Sequence, residues 1–207
     1  MTAGSTDYSW VPRSVLAEGH CLTLASELSP DEFLSRIGAE PQDQFNGMSE
    51  LWDRWIELLD EDVTFDNMFI GAATVSGDGG DWVFAVEICG THGVYSEFME
   101  PVSTGGRAVT HLRTGAAKDY FAWWENGEVM TRFEPLFPYS RRGKTPDALV
   151  DLMAEVGFDL RDDADRSYET HTEAAFALAE RLSGVQITKD LMEHALYWGG
   201  IVEIPDP

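Results

Sequence analysis

Cationic side chains in the segment RAVTHLRT, residues 107–114, are separated by even numbers of residues, first four and then two. Alternate residues of a β-strand share one face of a sheet, so Arg107, His111 and Arg113 would lie side by side in a strand. Guanidinium and imidazolium groups bind carboxylates and phosphates through charge-assisted hydrogen bonds. The spacing therefore predicts an anion site on one sheet face. The alternative is pairing with carboxylates of the same chain, which holds 37 aspartates and glutamates.

A second set of candidate binding residues lies in YFAWWENGEVMTRFEP, residues 120–135. The Asn-Gly pair at 126–127 is typical of a two-residue hairpin turn, because both residues tolerate positive φ. In that register Trp123 faces Met130, and Phe121 faces Arg132 in a pairing that favours a cation–π contact. Helices covering both faces of the hairpin are the alternative explanation for its aromatic side chains. The complete predicted site for an anionic or aromatic ligand is Arg107, His111, Arg113, Phe121, Trp123, Met130 and Arg132.

One segment could supply metal ligands, and the sequence carries no catalytic signature. In EICGTH, residues 87–92, the side chains of Glu87, Cys89 and His92 could converge near a strand end, and zinc accepts all three ligand types. These are weak candidates, because structural zinc sites usually show a second cysteine or histidine pair. The motifs of phosphate-binding loops, dinucleotide-binding folds, zinc proteases and serine hydrolases are missing. We therefore predict no catalytic residue, no bound metal and no cofactor.

The formal net charge of −23 limits the classes of partner. Nucleic acids and anionic membranes both require a basic surface, so neither is an expected partner. A basic protein partner is expected, since opposite charge steers association over long distances. Residues 1–106 contain only three basic side chains, whereas residues 107–144 contain seven of the 14 in the chain. The predicted partner-binding acids are Asp60, Glu61, Asp62, Glu125 and Glu128.

The remaining composition indicates a cytoplasmic protein. The two cysteines, Cys21 and Cys89, do not form a disulfide framework, which is typical of a reducing compartment. The first residues, MTAGSTDYSW, lack the basic and apolar regions of a signal peptide. No apolar run reaches the length of about 18 residues that a membrane span needs.

Hydrophobic periodicity predicts an α+β fold. After a disordered tail, residues 1–7, we expect a single domain over residues 8–207. A helical segment is expected at residues 8–18, and another at 30–37 with Ser29 as its N-cap and Pro30 in its first turn. A separate short strand is expected at residues 21–25. Residues 67–134 alternate with period two, which predicts an antiparallel sheet of about five strands, flanked by N-terminal and C-terminal helices.

The helix predicted at residues 49–61 is strongly amphipathic. Its sequence SELWDRWIELLDE places acidic side chains on one side. Helical spacing places five large apolar side chains on the other side, which would face the core: Leu51, Trp52, Trp55, Leu58 and Leu59.

Several segments together resemble an actinobacterial protein family that is known only as a domain of unknown function. The segments are CLTLASELSPDEFLSRIGA, EFMEPVSTGGRAVTHLR, FAWWENGEVMTRFEP, GKTPDALVDLMAEVGF and AAFALAERLSGVQIT, in this order. They carry caps, a strand and a hairpin rather than catalytic residues. The resemblance implies a bacterial cytoplasmic protein and implies no activity.

Three functional hypotheses follow. The first is a non-enzymatic acidic protein-binding module, such as an immunity protein or antitoxin that masks a basic partner. The second is a small-molecule-binding protein or enzyme with an anionic or aromatic ligand on the sheet face. The third and weakest is a nucleic-acid mimic that inhibits a nuclease through patterned carboxylates.

Overall fold

A computed structural model describes residues 2–60, 67–87, 90–116 and 118–203 of the chain. Within these residues there are eight strands and six α-helices, together with 3-10 turns at Ser5–Tyr8, Val11–Arg13, Val15–Ala17 and His92–Val94. The strands are β1 His20–Ser26, β2 Glu40–Asn46, β3 Asn67–Gly77, β4 Gly80–Glu87, β5 Arg107–Arg113, β6 Asp119–Glu125, β7 Glu128–Phe133 and β8 Leu196–Glu203. The helices are α1 Pro30–Arg36, α2 Gly47–Asp60, α3 Ser96–Ser103, α4 Val150–Val156, α5 His171–Ser183 and α6 Lys189–His194.

The strands form one antiparallel sheet in the order β2-β8-β3-β4-β1-β5-β6-β7. The predicted α+β class and antiparallel sheet are confirmed. The prediction of about five strands is wrong, because the described residues contribute eight. The strands at 67–134 also do not form one consecutive meander, since β1 pairs with both β4 and β5 and separates them.

Two strands lacked a recognisable sequence pattern. β2 reads EPQDQFN, in which Phe45 is the one buried side chain, so no apolar alternation marks it. β8 reads LYWGGIVE and contains Gly199 and Gly200, which interrupt its strand pattern. A Cβ atom at Gly199 would lie 2.6 Å from the Phe45 ring, so these glycines allow β8 to lie close to its neighbours.

Helices cover both faces of the sheet. One face presents large residues such as Leu24, Phe84 and Phe121 to α2, α4, α5, α6 and the N-terminal 3-10 turns. The other face presents mainly small residues, including Ala85 and Ala108, to α1 and α3. Small side chains on a sheet allow helices to approach it closely, and α1 and α3 pack directly on this face. Helices on both faces of the sheet, the alternative that the sequence left open, therefore explain why most of the aromatic side chains are buried.

The N-terminal region packs as 3-10 turns where a helix was expected at residues 8–18. In the segment predicted as a tail, residues 5–7 belong to the turn Ser5–Tyr8, and Tyr8 is buried. Its hydroxyl donates a hydrogen bond to Oε2 of Glu180 in α5 at 2.7 Å, and burial raises the Tyr8 pKa. The helix predicted at 30–37 is confirmed, with Ser29 Oγ accepting from the Glu32 amide.

None of the helices in the described part of the chain is long and apolar enough to cross a membrane.

Candidate functional site

The predicted basic face of β5 lies largely beneath α5. Arg107, His111 and Arg113 do share a face, as the alternation predicts. However, His111 is only 3% exposed, and its ring lies 5.4 Å from the ring of Phe176 in α5. The two arginines are left at opposite ends of the strand, and Arg107 lies over the Trp82 ring at 5.4 Å. The structure therefore does not join the three cationic side chains in an open site.

Arg113 belongs to a polar network between β5, β6 and α5. Its Nη1 lies 3.4 Å from Oδ2 of Asp119, the residue opposite it in β6, and 2.5 Å from Oγ1 of Thr172. Nε2 of His171 lies 2.8 Å from the same Asp119 oxygen. The Asp119 side chain is fully buried, so the network holds a charged pair inside the protein. This is the internal pairing that the sequence offered as the alternative to an anion site.

The buried histidines His20 and His111 form a directed hydrogen-bond chain. His20 Nδ1 lies 2.8 Å from the Leu16 carbonyl oxygen, which can only accept, so this nitrogen carries the proton. His20 Nε2 then accepts from His111 Nδ1 at 3.3 Å. Burial lowers the pKa of His20 to about 4 and lowers the pKa of His111 well below its usual value. Both rings are therefore neutral at neutral pH and serve the packing of β1, β5 and α5.

The hairpin register differs from the predicted one beyond its first two pairs. Glu125 lies opposite Glu128 and Trp124 opposite Val129, as expected, but a bulge at Met130 shifts the rest by one residue. Trp123 therefore lies opposite Thr131, Phe121 opposite Phe133 and Ala122 opposite Arg132.

At the bulge, the chain at 142–145 returns to pair with β7. Thr145 donates its amide to the Met130 carbonyl at 2.8 Å, and Arg132 exchanges backbone hydrogen bonds with Arg142. The predicted Phe121–Arg132 pair is consequently wrong: the two side chains lie on opposite faces of the sheet. Arg132 is exposed near Tyr120, where its guanidinium opposes the rise that burial causes in the Tyr120 pKa.

The remaining hairpin residues of the predicted ligand set are partly or fully covered. Phe121 is completely buried and stacks on Phe133 with the ring centroids 5.2 Å apart. Trp123 is half-buried against the core cluster that the helices α4 and α5 cover. Met130 is half-buried at the bulge. The seven predicted ligand residues thus lie in separate surroundings.

Of the predicted metal ligands, Glu87 and His92 lie together, and the cysteine next to Glu87 is Cys21. The two Glu87 carboxylate oxygens accept hydrogen bonds from the His92 and Gly93 amides at 2.8 and 3.1 Å, and Oε2 lies 3.0 Å from His92 Nδ1. Cys21 lies opposite Glu87 in β1, and burial together with this carboxylate raises the pKa of its thiol. Cys89 lies outside the described residues. Glu87 caps the turn His92–Val94, because its carboxylate accepts the first two amides of that turn. Among the described residues no group of three or more metal-ligating side chains is found.

Of the predicted partner-binding acids, the structure locates two. Glu125 and Glu128 face each other beside the hairpin turn, and Lys144 of the same chain forms an ion pair with Glu128. The Asp60 side chain, Glu61 and Asp62 lie outside the described part of the structure.

The structure also contains a groove that the sequence did not indicate. It has a volume of about 490 Å³ and lies between the N-terminal 3-10 turns, the first turns of α2, and α6. We call it the N-terminal groove and define it by the residues Trp10, Arg13, Met48, Trp52, Lys189 and Met192. A smaller extension of about 50 Å³ continues from it and shares the side chains Val15, Met48 and Trp52.

Two cations stand in this groove. The Lys189 ammonium lies 6.0 Å from the centroid of the Trp10 ring, a cation–π distance. Neither Lys189 nor Arg13 forms an ion pair with a carboxylate of the described chain. The acidic residue Glu193 also lines the groove. The groove thus combines a carbon-rich wall with a small excess of positive charge in a very acidic protein.

The outer face of α2 is the second unusual surface. The five apolar residues predicted to share a buried face are divided: Leu51 and Leu58 are buried, Trp55 is half-buried against the core, and Trp52 and Leu59 are exposed. Ile56 is exposed as well, so the residues Trp52, Ile56 and Leu59, at the spacing i, i+4, i+7, form an exposed apolar row that we call the α2 stripe. Trp52 lies where the α2 stripe meets the N-terminal groove.

The family of the chain is established by comparison with known families. A family model described as a family of unknown function, DUF6461, matches residues 1–206. The chain belongs to this family. No curated protein matches the chain, and no solved structure matches it. The family assignment confirms the expected membership in a domain of unknown function and leaves function to be argued from the surfaces described above.

Proposed function

We propose that this member of the DUF6461 family is a non-enzymatic, acidic protein-binding module that binds a basic amphipathic segment of a partner along the α2 stripe. The observation that supports it is the exposure of three large apolar side chains on one helix. Trp52, Ile56 and Leu59 are 40%, 43% and 44% exposed. Large apolar side chains exposed in a row are typical of protein interaction sites, whereas single ones are common on any surface.

Charge determines which partner suits the α2 stripe. Asp53 and Glu57 are exposed on the same helix, next to Trp52 and Ile56 in the sequence, and Glu57 is paired with Arg54 at 3.2 Å, an exchangeable surface ion pair. The whole chain has a net charge of −23, so a basic partner would be attracted from a distance and an acidic one repelled. A partner helix with one apolar and one basic face would bury the stripe and neutralise these carboxylates. Masking a basic surface in this way is what an immunity protein or antitoxin does.

The alternative of a ligand bound on the sheet face has less support. Its central residues His111 and Phe121 are buried under helices, and Arg113 is bound to Asp119. A ligand there would have to displace α5.

Photocrosslinking in cells of the source organism tests the proposed function. A benzophenone amino acid at position 56 is expected to capture a partner whose crosslinked segment is basic and amphipathic. The matched control carries the same group at Tyr168, which is 60% exposed on a different surface and should not capture that protein.

The purified pair then provides the decisive measurement. Ile56→Ser together with Leu59→Ser should weaken binding by about tenfold or more, as loss of apolar anchors does. Tyr168→Ser should leave the affinity unchanged. Capture of the same proteins from positions 56 and 168, or an affinity indifferent to both stripe substitutions, would refute the proposal.

A further inference from the structure

The N-terminal groove has the dimensions and chemistry of a small-molecule site. Its volume of about 490 Å³ lies within the range of about 300–1,000 Å³ that is common for ligand pockets. We propose that it binds a small organic monoanion with an aromatic or apolar body. This site is distinct from the sheet-face site expected from the sequence, and its function goes beyond partner binding on the α2 stripe.

The charge of the ligand follows from the charges that line the groove. Arg13 is one of three basic residues in residues 1–106, and Lys189 is one of four in residues 145–207. These two scarce cations come from opposite ends of the chain and meet in one groove, each without a carboxylate partner in the described regions. Glu193 offsets one of them. A single negative charge on the ligand would therefore neutralise the groove.

The apolar body of the ligand follows from the other wall. The residues that the groove shares with its inner extension are Val15, Met48 and Trp52, and all three are apolar. Arg13 and Lys189 do not line the extension, whose surface is mainly apolar and whose lining also includes Glu18 and Glu87, so an anionic group is favoured only at the two cations. The ligand would place its anionic group at Arg13 and Lys189 and direct its carbon body along Trp52 toward the extension.

The Trp10 ring holds one of the cations in place. Because the Lys189 ammonium lies over this ring, its position is restricted before a ligand arrives, which lowers the entropic cost of binding an anion. An aromatic ligand could in addition stack on the Trp10 or Trp52 ring.

Two fluorescent probes that differ in one charged group test the proposal with the full chain. Anilinonaphthalene sulfonate has an aromatic body and one negative charge, whereas N-phenylnaphthylamine has a closely similar body and no charge. The wild-type protein is expected to bind one molecule of the sulfonate per chain, and more tightly than the neutral probe.

Substitutions separate the contribution of the two cations. Arg13→Gln or Lys189→Gln should weaken sulfonate binding by about threefold each, and the double variant by about tenfold, with little change for the neutral probe. The matched controls are Arg142→Gln and Lys118→Gln, which remove the same charges at exposed positions outside the groove lining and should change neither affinity. Ser49→Trp fills the groove and should abolish binding of both probes.

Three results would overturn the proposal: equal affinity for the two probes, sulfonate binding that the double variant leaves unchanged, or binding that survives Ser49→Trp. Ile56→Ser with Leu59→Ser changes only the α2 stripe and should leave sulfonate binding intact. Trp52 belongs to both surfaces, but the substitutions of the two tests change different residues, so failure of this proposal and failure of the proposed function are separate outcomes.

Discussion

The buried histidines show how single residues couple the core to pH. His20 and His111 lie between the sheet and α5, where the charged or titratable groups facing them are Arg113, Asp119 and His171. Desolvation disfavours the imidazolium form of both rings, and the charge of Arg113 acts in the same direction. The folded state therefore prefers both rings neutral, whereas the unfolded chain titrates near the usual histidine pKa of about 6.5.

This preference predicts a loss of stability in acid. Below pH of about 6.5 the unfolded chain binds protons that the folded chain refuses, so the free energy of unfolding falls as the pH falls. For His20 the loss continues to its folded pKa of about 4, at up to about 1.4 kcal/mol per pH unit. Urea denaturation between pH 4 and 7 should show a smaller slope for His20→Gln than for wild type. His194→Gln provides the matched substitution at an exposed site, and parallel curves for His20→Gln and wild type would contradict the assignment.

At the scale of the elements, the sequence predicts those whose pattern is local. The caps of α1, the alternation of β5 and the Asn-Gly turn of the hairpin are all read from neighbouring residues, and the structure contains them. The bulge at Met130 depends on pairing with residues 142–145, which no local pattern shows. β2 carries too few apolar residues to be recognised in the sequence. Its register is set by β8, which lies about 150 residues later in the chain.

Gly143 is the residue on which the bulge depends. Its φ is +126°, and a Cβ atom there would lie 2.5 Å from the Met130 carbonyl oxygen. Gly143→Ala should therefore lower the free energy of unfolding by about 2–4 kcal/mol. Gly79→Ala is the control, since its φ of +83° is also positive but nothing lies within 4 Å of the added atom. Chemical denaturation should show a clearly larger loss for Gly143→Ala, and equal losses would mean that the bulge tolerates a side chain.

At the scale of the whole molecule, charge layout was predictable and the groove was not. The concentration of cations in residues 107–144 is visible in the sequence, and the structure shows several of them bound to the chain's own acids, including Arg113, Arg141 and Lys144. The N-terminal groove unites Trp10, Trp52 and Lys189 from three distant segments. Only tertiary packing brings these residues together, so no local pattern predicts the groove. The one hint in the sequence is that Arg13 is an isolated basic residue in an acidic segment.

The net charge predicts how stability responds to salt. At −23 the folded chain repels itself, and screening of that repulsion should outweigh the loss of a few surface ion pairs. Raising potassium chloride from about 0.02 M to about 0.5 M should raise the melting temperature by about 2–6 °C, measured by circular dichroism. Sodium chloride at the same concentrations is the control for ion identity. A falling melting temperature would show that specific ion pairs dominate.

The position of β1 and β8 in the sheet has a consequence for synthesis of the chain. β1 emerges early from the ribosome, but its two neighbours, β4 and β5, are not made until tens of residues later. β8 lies between β2 and β3, so β2 cannot join the sheet before β8 has been made. Such long sequence separations slow folding. Until β4 and β5 have been made, the apolar strand His20–Ser26 lacks its partners, so the nascent chain is expected to bind ribosome-associated chaperones.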